Sequence, residues 1–414
     1  MRARVRIRDE SDAAAARRLL AARGIHAGRR DEPVGLLVVD EWTPEGDPLV
    51  QEARREGIPI TVLAELVLSE ARGPVVGITG TAGKTSTCRA LEAILAATGR
   101  PVAISRTARS ANAWPDRSLE GGCDPDVVTI AELTSTHLCH MGTVHPDVAV
   151  VTMVRPDHVE LHGSVEAYVA AKRRLVDELT ARDVLVMPTD DPDTRRAIGP
   201  CPARECGFGH GHDPGGEGAF GMDGEVVLRW DGRMARGVAP RGGTAGRAAL
   251  AAAAAALALG EAPAAVATAL GSIHHVPHRM HPRPGPRGIT VIDDTMAATP
   301  LKGLAAIEEI QGSPDVLVLG GDDAPGGVAV HASADEDAVL RRALACARER
   351  AAVVVAFGPA RGRVAASVRP DAEADDIGDA LTAALAACPD GGTVLVSPMF
   401  PMDPADRRLV AGDP

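Results

Sequence analysis

Aromatic side chains are scarce: 2% of 414 residues, made up of one Tyr, four Phe and three Trp. Beside abundant Ala, Gly, Pro and Arg this reads as genome composition, and no function is taken from it. A basic surplus is also missing, since 44 Lys and Arg face 56 Asp and Glu for a formal charge of −12. Nucleic acid and anionic membranes are bound through an excess of cations, so neither partner is expected, although a phosphorylated ligand needs only a local basic pocket. No early apolar run resembles a signal peptide, and no uncharged run is long enough to span a bilayer without being dominated by alanine. C-x-x-C pairs are absent among the seven scattered cysteines, Cys88, Cys123, Cys139, Cys201, Cys206, Cys346 and Cys388. An odd, unpaired set points to free thiols in a reducing compartment, and the expected location is cytoplasmic.

What is present is a chain longer than one ordinary core, so two or three domains are expected, with 45% hydrophobic and 24% charged residues, the balance of a globular protein. Residues 1–73 alternate β and α through RVRI, DAAAARRLLAARG, LLVVD, PLVQEARREG, IPITV and LAELVLSEA, the pattern of a small parallel sheet. Such a Rossmann-like module seats a phosphate on G-x-G-x-x-G after its first strand. Here RDESD, Arg8 to Asp12, stands in that place, with acids and no glycine.

The central stretch predicts strands at 127–133 and 148–154, a helix over about 164–181, and a loop in the Gly- and Pro-rich patch 207–224. A hairpin and an alanine-rich helix at 245–259 follow, and proline density over 277–288 reads as a hinge. The last stretch alternates again through ITVIDD, DVLVLGG, AVVVAFG and TVLVSP, with no room for another full helix before Pro414. The expected fold class is α/β in three domains. These are a Rossmann-like N-terminal domain over 1–73, a P-loop central domain with a parallel sheet over 74–283, and a Rossmann-like C-terminal domain over 284–414.

The chemistry is concentrated in VVGITGTAGKTST, Val75 to Thr87: an apolar strand, a glycine-rich turn, Lys84 with hydroxyls, then a helix. Glycines let backbone N–H groups crowd an anion, the helix N-terminus adds its dipole, Lys84 neutralises phosphate and Thr85 can ligate Mg²⁺. Gly80, Thr81, Gly83, Lys84, Thr85 and Ser86 are therefore the expected nucleotide-binding residues, although the spacing is G-T-x-G-K-T and an ordinary turn is the bland alternative. Glu132, Thr134, Ser135 and Thr136 follow at the C-terminal end of a strand, the edge where doubly wound sheets gather ligands. Opposite Thr85, Glu132 becomes a candidate Mg²⁺ ligand; alone it is a capping or surface residue.

In the segment 155–176, Ser164 is a fitting N-cap, and Val165, Tyr168, Val169, Leu175 and Val176 recur at helical spacing with Lys172 on their face. A buried ammonium is costly. Either Lys172 snorkels to solvent or it serves a metal-and-phosphate environment, for which Asp157, His158 and His162 lie just upstream.

GTAGKTST, ELTSTHL, PDHVELHGSVEAYVAAK, PHR, DDTMAATP and LVLGGD, in this order and at these separations, resemble the Mur ligase family over nearly the full length, its D-glutamate-adding branch above all. The resemblance implies that ATP phosphorylates a carboxylate and an amine then attacks the acyl phosphate, giving an amide, ADP and phosphate. It implies ATP and two Mg²⁺ ions, with Thr85 and Glu132 at the first ion and His158 at the second. Lys172 matches a lysine carbamylated by CO₂, which converts a buried cation into an anion facing metal. Lys84, Glu132, His158 and Lys172 are thus the expected catalytic group, and Arg279 and Asp294 match positions that help hold nucleotide on closure of the last domain. Thr134, Ser135, His137, Thr295, Met296 and Ser397 are expected at the substrates, a small carboxylate and an amine, in a monomer or weak homodimer.

Four departures bear on what is ligated. RDESD replaces the loop that takes the uridine nucleotide, and Met296 stands where a lysine contacts the incoming amino acid, with Ala298 for a threonine. Ala245 and Ala248 replace two asparagines that serve the nucleotide, and the family's last helix is expected to be missing. Loss of a cation and a hydroxyl predicts a less acidic nucleophile. The expected function is an ATP-dependent amide ligase joining a carboxylate other than the usual UDP-muramoyl precursor to an amine or amino acid, in specialised metabolism. The alternatives are the D-glutamate ligase of peptidoglycan synthesis itself and a non-catalytic binding protein that keeps the fold.

Overall fold

A computed structural model describes residues 2–7, 10–28, 34–40, 43–105, 124–156, 159–240, 243–271, 278–310, 313–322, 334–351 and 353–412. It is an α/β protein with three sheets. The chain divides into two compact units, residues 1–241 with 246–273, and residues 242–245 with 274–414.

The first sheet is parallel, in the order β2-β1-β3-β4, from β1 (Arg2–Arg6), β2 (His26–Ala27), β3 (Leu36–Val39) and β4 (Ile60–Val62). On one face Ala3 and Val38 pack under the helices Glu10–Ala22 and Leu63–Leu68. On the other, Leu37, Val39 and Val62 share a core with Ala131, Ala149, Val151 and Tyr168 of the central stretch. No break in the apolar core separates the first two sheets.

The central sheet has nine strands: β5 (Val75–Thr79), β6 (Val102–Ser105), β7 (Val128–Glu132), β8 (Val148–Val151), β9 (Val184–Pro188), β10 (Arg204–His210), β11 (Gly218–Met222), β12 (Glu225–Trp230) and β13 (Arg233–Val238). Their order is β13-β12-β11-β10-β9-β8-β5-β7-β6, so β5, which leads into the glycine-rich turn, lies between β8 and β7. The expected hairpin is β12–β13, closed by Asp231 and Gly232 with φ of 51° and 69°, the primed-turn geometry that two-residue hairpins favour.

The expected loop at 207–224 is overturned, because β10 ends in it and β11 lies within it. Its glycines mark close strand approach. A Cβ on Gly218 (φ 145°) meets the Gly207 carbonyl oxygen at 1.9 Å, so the two strands pair only without that side chain. The alanine-rich helix, Gly243–Ala258, is buried against this sheet, and no helix among the described residues is long and apolar enough to cross a membrane.

The third sheet comprises β14 (His281–Pro284), β15 (Thr290–Asp293), β16 (Val316–Gly320), β17 (Val353–Phe357), β18 (Ala372–Ala374) and β19 (Thr393–Met399), ordered β14-β15-β19-β16-β17-β18. All are parallel except β14, an edge strand against β15 in which Pro282 and Pro284 are tolerated. Part of the expected hinge is therefore strand, and β14 crosses the expected boundary at 283/284. After β19 the chain forms one more short helix, Pro404–Ala411, where the sequence left room for no full one, with Asp403 as N-cap, Pro404 at its start and left-handed Gly412 after its end. Its whole punctuation is in the sequence, within the ten residues from Asp403 to Gly412.

Candidate active site

The turn after β5 is built so that only glycine fits at its first position. Gly80 has φ 150°, and a Cβ there meets Thr152 Oγ1 at 1.9 Å. Thr81 is buried and tied down by its own backbone N–H to the Met153 carbonyl (2.7 Å), by its Oγ1 to the Arg155 carbonyl (2.8 Å), and by a 2.7 Å contact with the Tyr168 hydroxyl. Gly83 (φ 86°) leads into the helix Lys84–Ala97, whose first turn presents N–H groups without intrahelical acceptors. The result is a rigid anion cradle at a helix N-terminus.

Two lysines converge on this cradle. Lys84 Nζ donates to the Gly80 carbonyl at 2.7 Å and Lys172 Nζ to the same oxygen at 2.9 Å. Lys172 is 1% exposed and lies 4.7 Å from the centroid of the Tyr168 ring, so it does not snorkel to solvent. Its helix, Val165–Asp177, is capped by Ser164, whose side chain accepts from Ala167 N at 3.1 Å. Two ammonium groups on one carbonyl crowd like charge into a buried place.

Opposite them, Thr85 Oγ1 donates to Glu132 Oε1 at 2.8 Å. Glu132 is buried, and its Oε2 has no hydrogen-bond partner among the described residues. An orphaned carboxylate oxygen beside a threonine hydroxyl at a phosphate cradle is the hard-oxygen donor set that suits Mg²⁺. The residues fit one such ion. His158 and Asp157, expected near a second ion, lie outside the described residues, and Lys172 meets the cradle through the Gly80 carbonyl.

The substrate residues of the central unit frame the same edge. Thr134 caps the helix Ser135–His140 and accepts from His137 N at 3.1 Å, while its own N–H donates to His137 Nδ1 at 3.3 Å. Ser135 Oγ contacts His162 Nε2 at 2.9 Å, and the His162 ring stands edge-on to Tyr168. His137 is pushed down to about 3 by burial first, then by His140 and Lys84. The unfolded chain takes up this proton near 6.5 and the folded chain does not, so stability falls as pH drops from about 6.5 toward 3. Thermal melts across that window are expected to show the loss, and a smaller one in His137→Gln, which keeps an acceptor for Thr134 N.

In the second unit the C-terminal ends of β15 and β19 carry a separate polar cluster. Asp293 binds His278 Nδ1 (2.9 Å) and Thr295 Oγ1 (2.8 Å), while Asp294 accepts from Ser397 Oγ (3.0 Å) and Met280 N (3.2 Å). Thr295 and Ser397 are fully buried, so their hydroxyls serve the two carboxylates. Arg279 and Met296 are half-buried beside them.

Residues 78–214 match the Mur ligase middle domain. Over 377 residues, 88% of this chain and 78% of the relative, the sequence is 30% identical to a UDP-N-acetylmuramoylalanine–D-glutamate ligase of Symbiobacterium thermophilum. The chain belongs to the Mur ligase family. A ligase of the same description from Chlorobaculum tepidum is 31% identical over 394 residues, 91% of this chain and 82% of its own.

Among solved structures, the MurF ligase of Thermotoga maritima in complex with ADP aligns with a TM-score of 0.63 at 19% identity, covering 99% of this chain and 93% of that one. A pseudomurein peptide ligase type C from Methanothermus fervidus gives 0.63 at 16% identity, covering 99% of both. Those likenesses establish the three-sheet Mur ligase fold; family membership makes this an ATP-dependent, ADP-forming amide-bond ligase.

Sequence reasoning left two contributors unnoticed. Tyr168, counted only as an apolar helix residue, joins Thr81, His162 and Lys172. Arg407, on the unexpected last helix, reaches Met296. Tyr168 is the chain's single tyrosine and was open to suspicion on that ground; no local signal marks Arg407.

Proposed function

We propose that this ligase activates a carboxylate substrate other than the UDP-muramoyl precursor and joins it to an amine or amino acid. The observation that carries the activation step is the Thr85–Glu132 pair, with its open carboxylate oxygen, at the Gly80–Thr85 cradle. The substrate carboxylate oxygen attacks the γ-phosphorus of ATP and ADP leaves. The amine nitrogen then attacks the acyl carbon, phosphate leaves, and the nitrogen gives up a proton.

In this reading Thr85 and Glu132 hold Mg²⁺, which offsets charge on the transferred group, while Lys84 and the helix N-terminus orient the phosphates. Lys172 acts as a carbamate, and His158 joins it at a second ion. Residues 1–73 take the carboxylate, 74–283 the nucleotide with Arg279 and Asp294 assisting, and 284–414 the amine; the setting is the cytoplasm. RDESD at Arg8 to Asp12 supports a carboxylate that lacks a nucleotide diphosphate, because acids without glycine make a poor phosphate cradle.

The second reading, D-glutamate addition to UDP-N-acetylmuramoylalanine, is favoured by the names of the relatives that share 30% and 31% of the sequence. The two are separated by ADP and phosphate release. Turnover of UDP-N-acetylmuramoylalanine with D-glutamate, at a rate no other carboxylate in a panel approaches, decides for the second; turnover of a non-nucleotide carboxylate alone decides for the first.

A further inference from the structure

At neutral pH an amine arrives as an ammonium, whose nitrogen has no lone pair with which to attack an acyl phosphate, so amide formation needs a base. A group suited to that task lies at the C-terminal edge of the third sheet, in the unit that holds residues 274–414. Asp293, at the end of β15, is 1% exposed, whereas the His278 side chain resting on it is 22% exposed. His278 Nδ1 lies 2.9 Å from Asp293 Oδ2 and 3.2 Å from Thr295 Oγ1. Thr295 in turn donates to Asp293 Oδ1 twice, from Oγ1 at 2.8 Å and from N at 3.1 Å.

This bonding leaves one place for the imidazole proton. Burial alone would raise the Asp293 carboxyl, but the bonds from His278 and Thr295 outweigh it and hold the group below the usual carboxylate range. An ionised carboxylate only accepts, and the Thr295 hydroxyl spends its proton on that same carboxylate, so Nδ1 is the donor. Neutral His278 therefore carries its lone pair on Nε2, which makes no hydrogen bond among the described residues. A buried carboxylate behind the ring fixes this tautomer and steadies the imidazolium that forms when Nε2 takes a proton.

A purely structural tie would not need that second nitrogen. The backbone at His278 is left-handed (φ 63°) and is held by Met296 N, which donates to the His278 carbonyl at 3.1 Å. Asparagine tolerates that conformation, and its side-chain amide offers Asp293 the same kind of donor. The charged groups around His278 are Asp293 and Asp294 at the end of β15, His281 and Arg283 on β14, Arg279 next along the chain, and Arg407 beyond Met296.

We propose that His278 is the general base of amide formation, its Nε2 taking a proton from the ammonium of the amine co-substrate while Asp293 holds the ring. The freed nitrogen attacks the acyl carbon, and the C–N bond forms as the C–O bond to phosphate breaks. The second proton leaves on the phosphate, and His278 returns its own to solvent. The inference rests on the readings that the reaction passes through an acyl phosphate and that 284–414 takes the amine.

The test supplies the full chain with ATP, Mg²⁺ and the carboxylate panel, and compares amino acids with hydroxylamine. Hydroxylamine is already a neutral base at neutral pH, and it traps an acyl phosphate as the hydroxamate. His278→Asn is expected to lower kcat with the amino acid about 100-fold or more, and hydroxamate formation by less than about threefold. The loss with the amino acid should shrink as pH rises and free amine accumulates. Asp293→Asn should act in the same direction, because an amide donor facing Nδ1 moves the ring proton to Nε2.

Wild-type turnover in His278→Asn overturns the proposal, and so does a loss as large with hydroxylamine as with the amino acid, which marks a structural role. If His278→Asn does not fold, Asp293→Asn decides with the same two co-substrates. Nitrogen NMR of histidine-labelled wild type, which needs no substrate, should place the proton of neutral His278 on Nδ1; a proton on Nε2 overturns the proposal as well. A wild type that forms neither amide nor hydroxamate from any carboxylate strikes instead at the ligase reading.

Discussion

Lys84→Ala is expected to abolish ADP formation, by roughly 10³-fold or more in kcat/KM, and to leave the protein as stable as before or more so. The loss follows from the position of Nζ at the cradle, 2.7 Å from the Gly80 carbonyl. Removing one preorganised donor from a site of developing charge typically costs 10²–10³, and here the donor is also a full charge on a phosphoryl group. The stability side has a separate cause. In protein kept free of bicarbonate, where Lys172 is an ammonium, Lys84 and Lys172 both donate to the Gly80 oxygen, and deleting one relieves like-charge crowding. A coupled ADP assay beside a thermal melt checks both halves. A variant that is inactive because it is unfolded contradicts the account, as does one that stays active.

Lys172→Met should raise the thermal midpoint and lower turnover by about 100-fold or more. At 1% exposure the ammonium bears a desolvation cost that a thioether chain of similar volume avoids. That a folded protein carries such a group is explained if it functions as a carbamate. The wild type should therefore gain activity on addition of bicarbonate, and isotope-labelled bicarbonate should give a carbamate signal that Lys172→Met lacks. A bicarbonate-insensitive enzyme with no such signal removes the carbamate from the mechanism; an active Lys172→Met removes the residue itself.

Much of the site was legible because its parts are local. The run from Val75 to Thr87 carries strand, turn and helix start in thirteen consecutive residues, and Lys172 betrayed itself by sitting on the apolar face of its own helix. Glu132 was placed at a strand end, and Thr85 Oγ1 lies 2.8 Å from its carboxylate. The errors had a common origin in glycine and proline, which were taken as loop signals. Gly207 and Gly218 are instead where two strands touch too closely for a Cβ, and Pro282 and Pro284 sit on an edge strand that needs no N–H from them. Composition does not separate these cases, since the same residues serve turns and close approaches.

Sequence by itself determined the α/β class and the glycine-rich cradle, because each depends on residues adjacent along the chain or on one helical face. Only the tertiary structure decided that two lysines share the Gly80 carbonyl, that Tyr168 joins the cradle to His162, and that Arg407 meets Met296 across 111 positions. These contacts are set by how β5, β7 and β8, and separately β15 and β19, lie side by side, and no spacing within one segment encodes that.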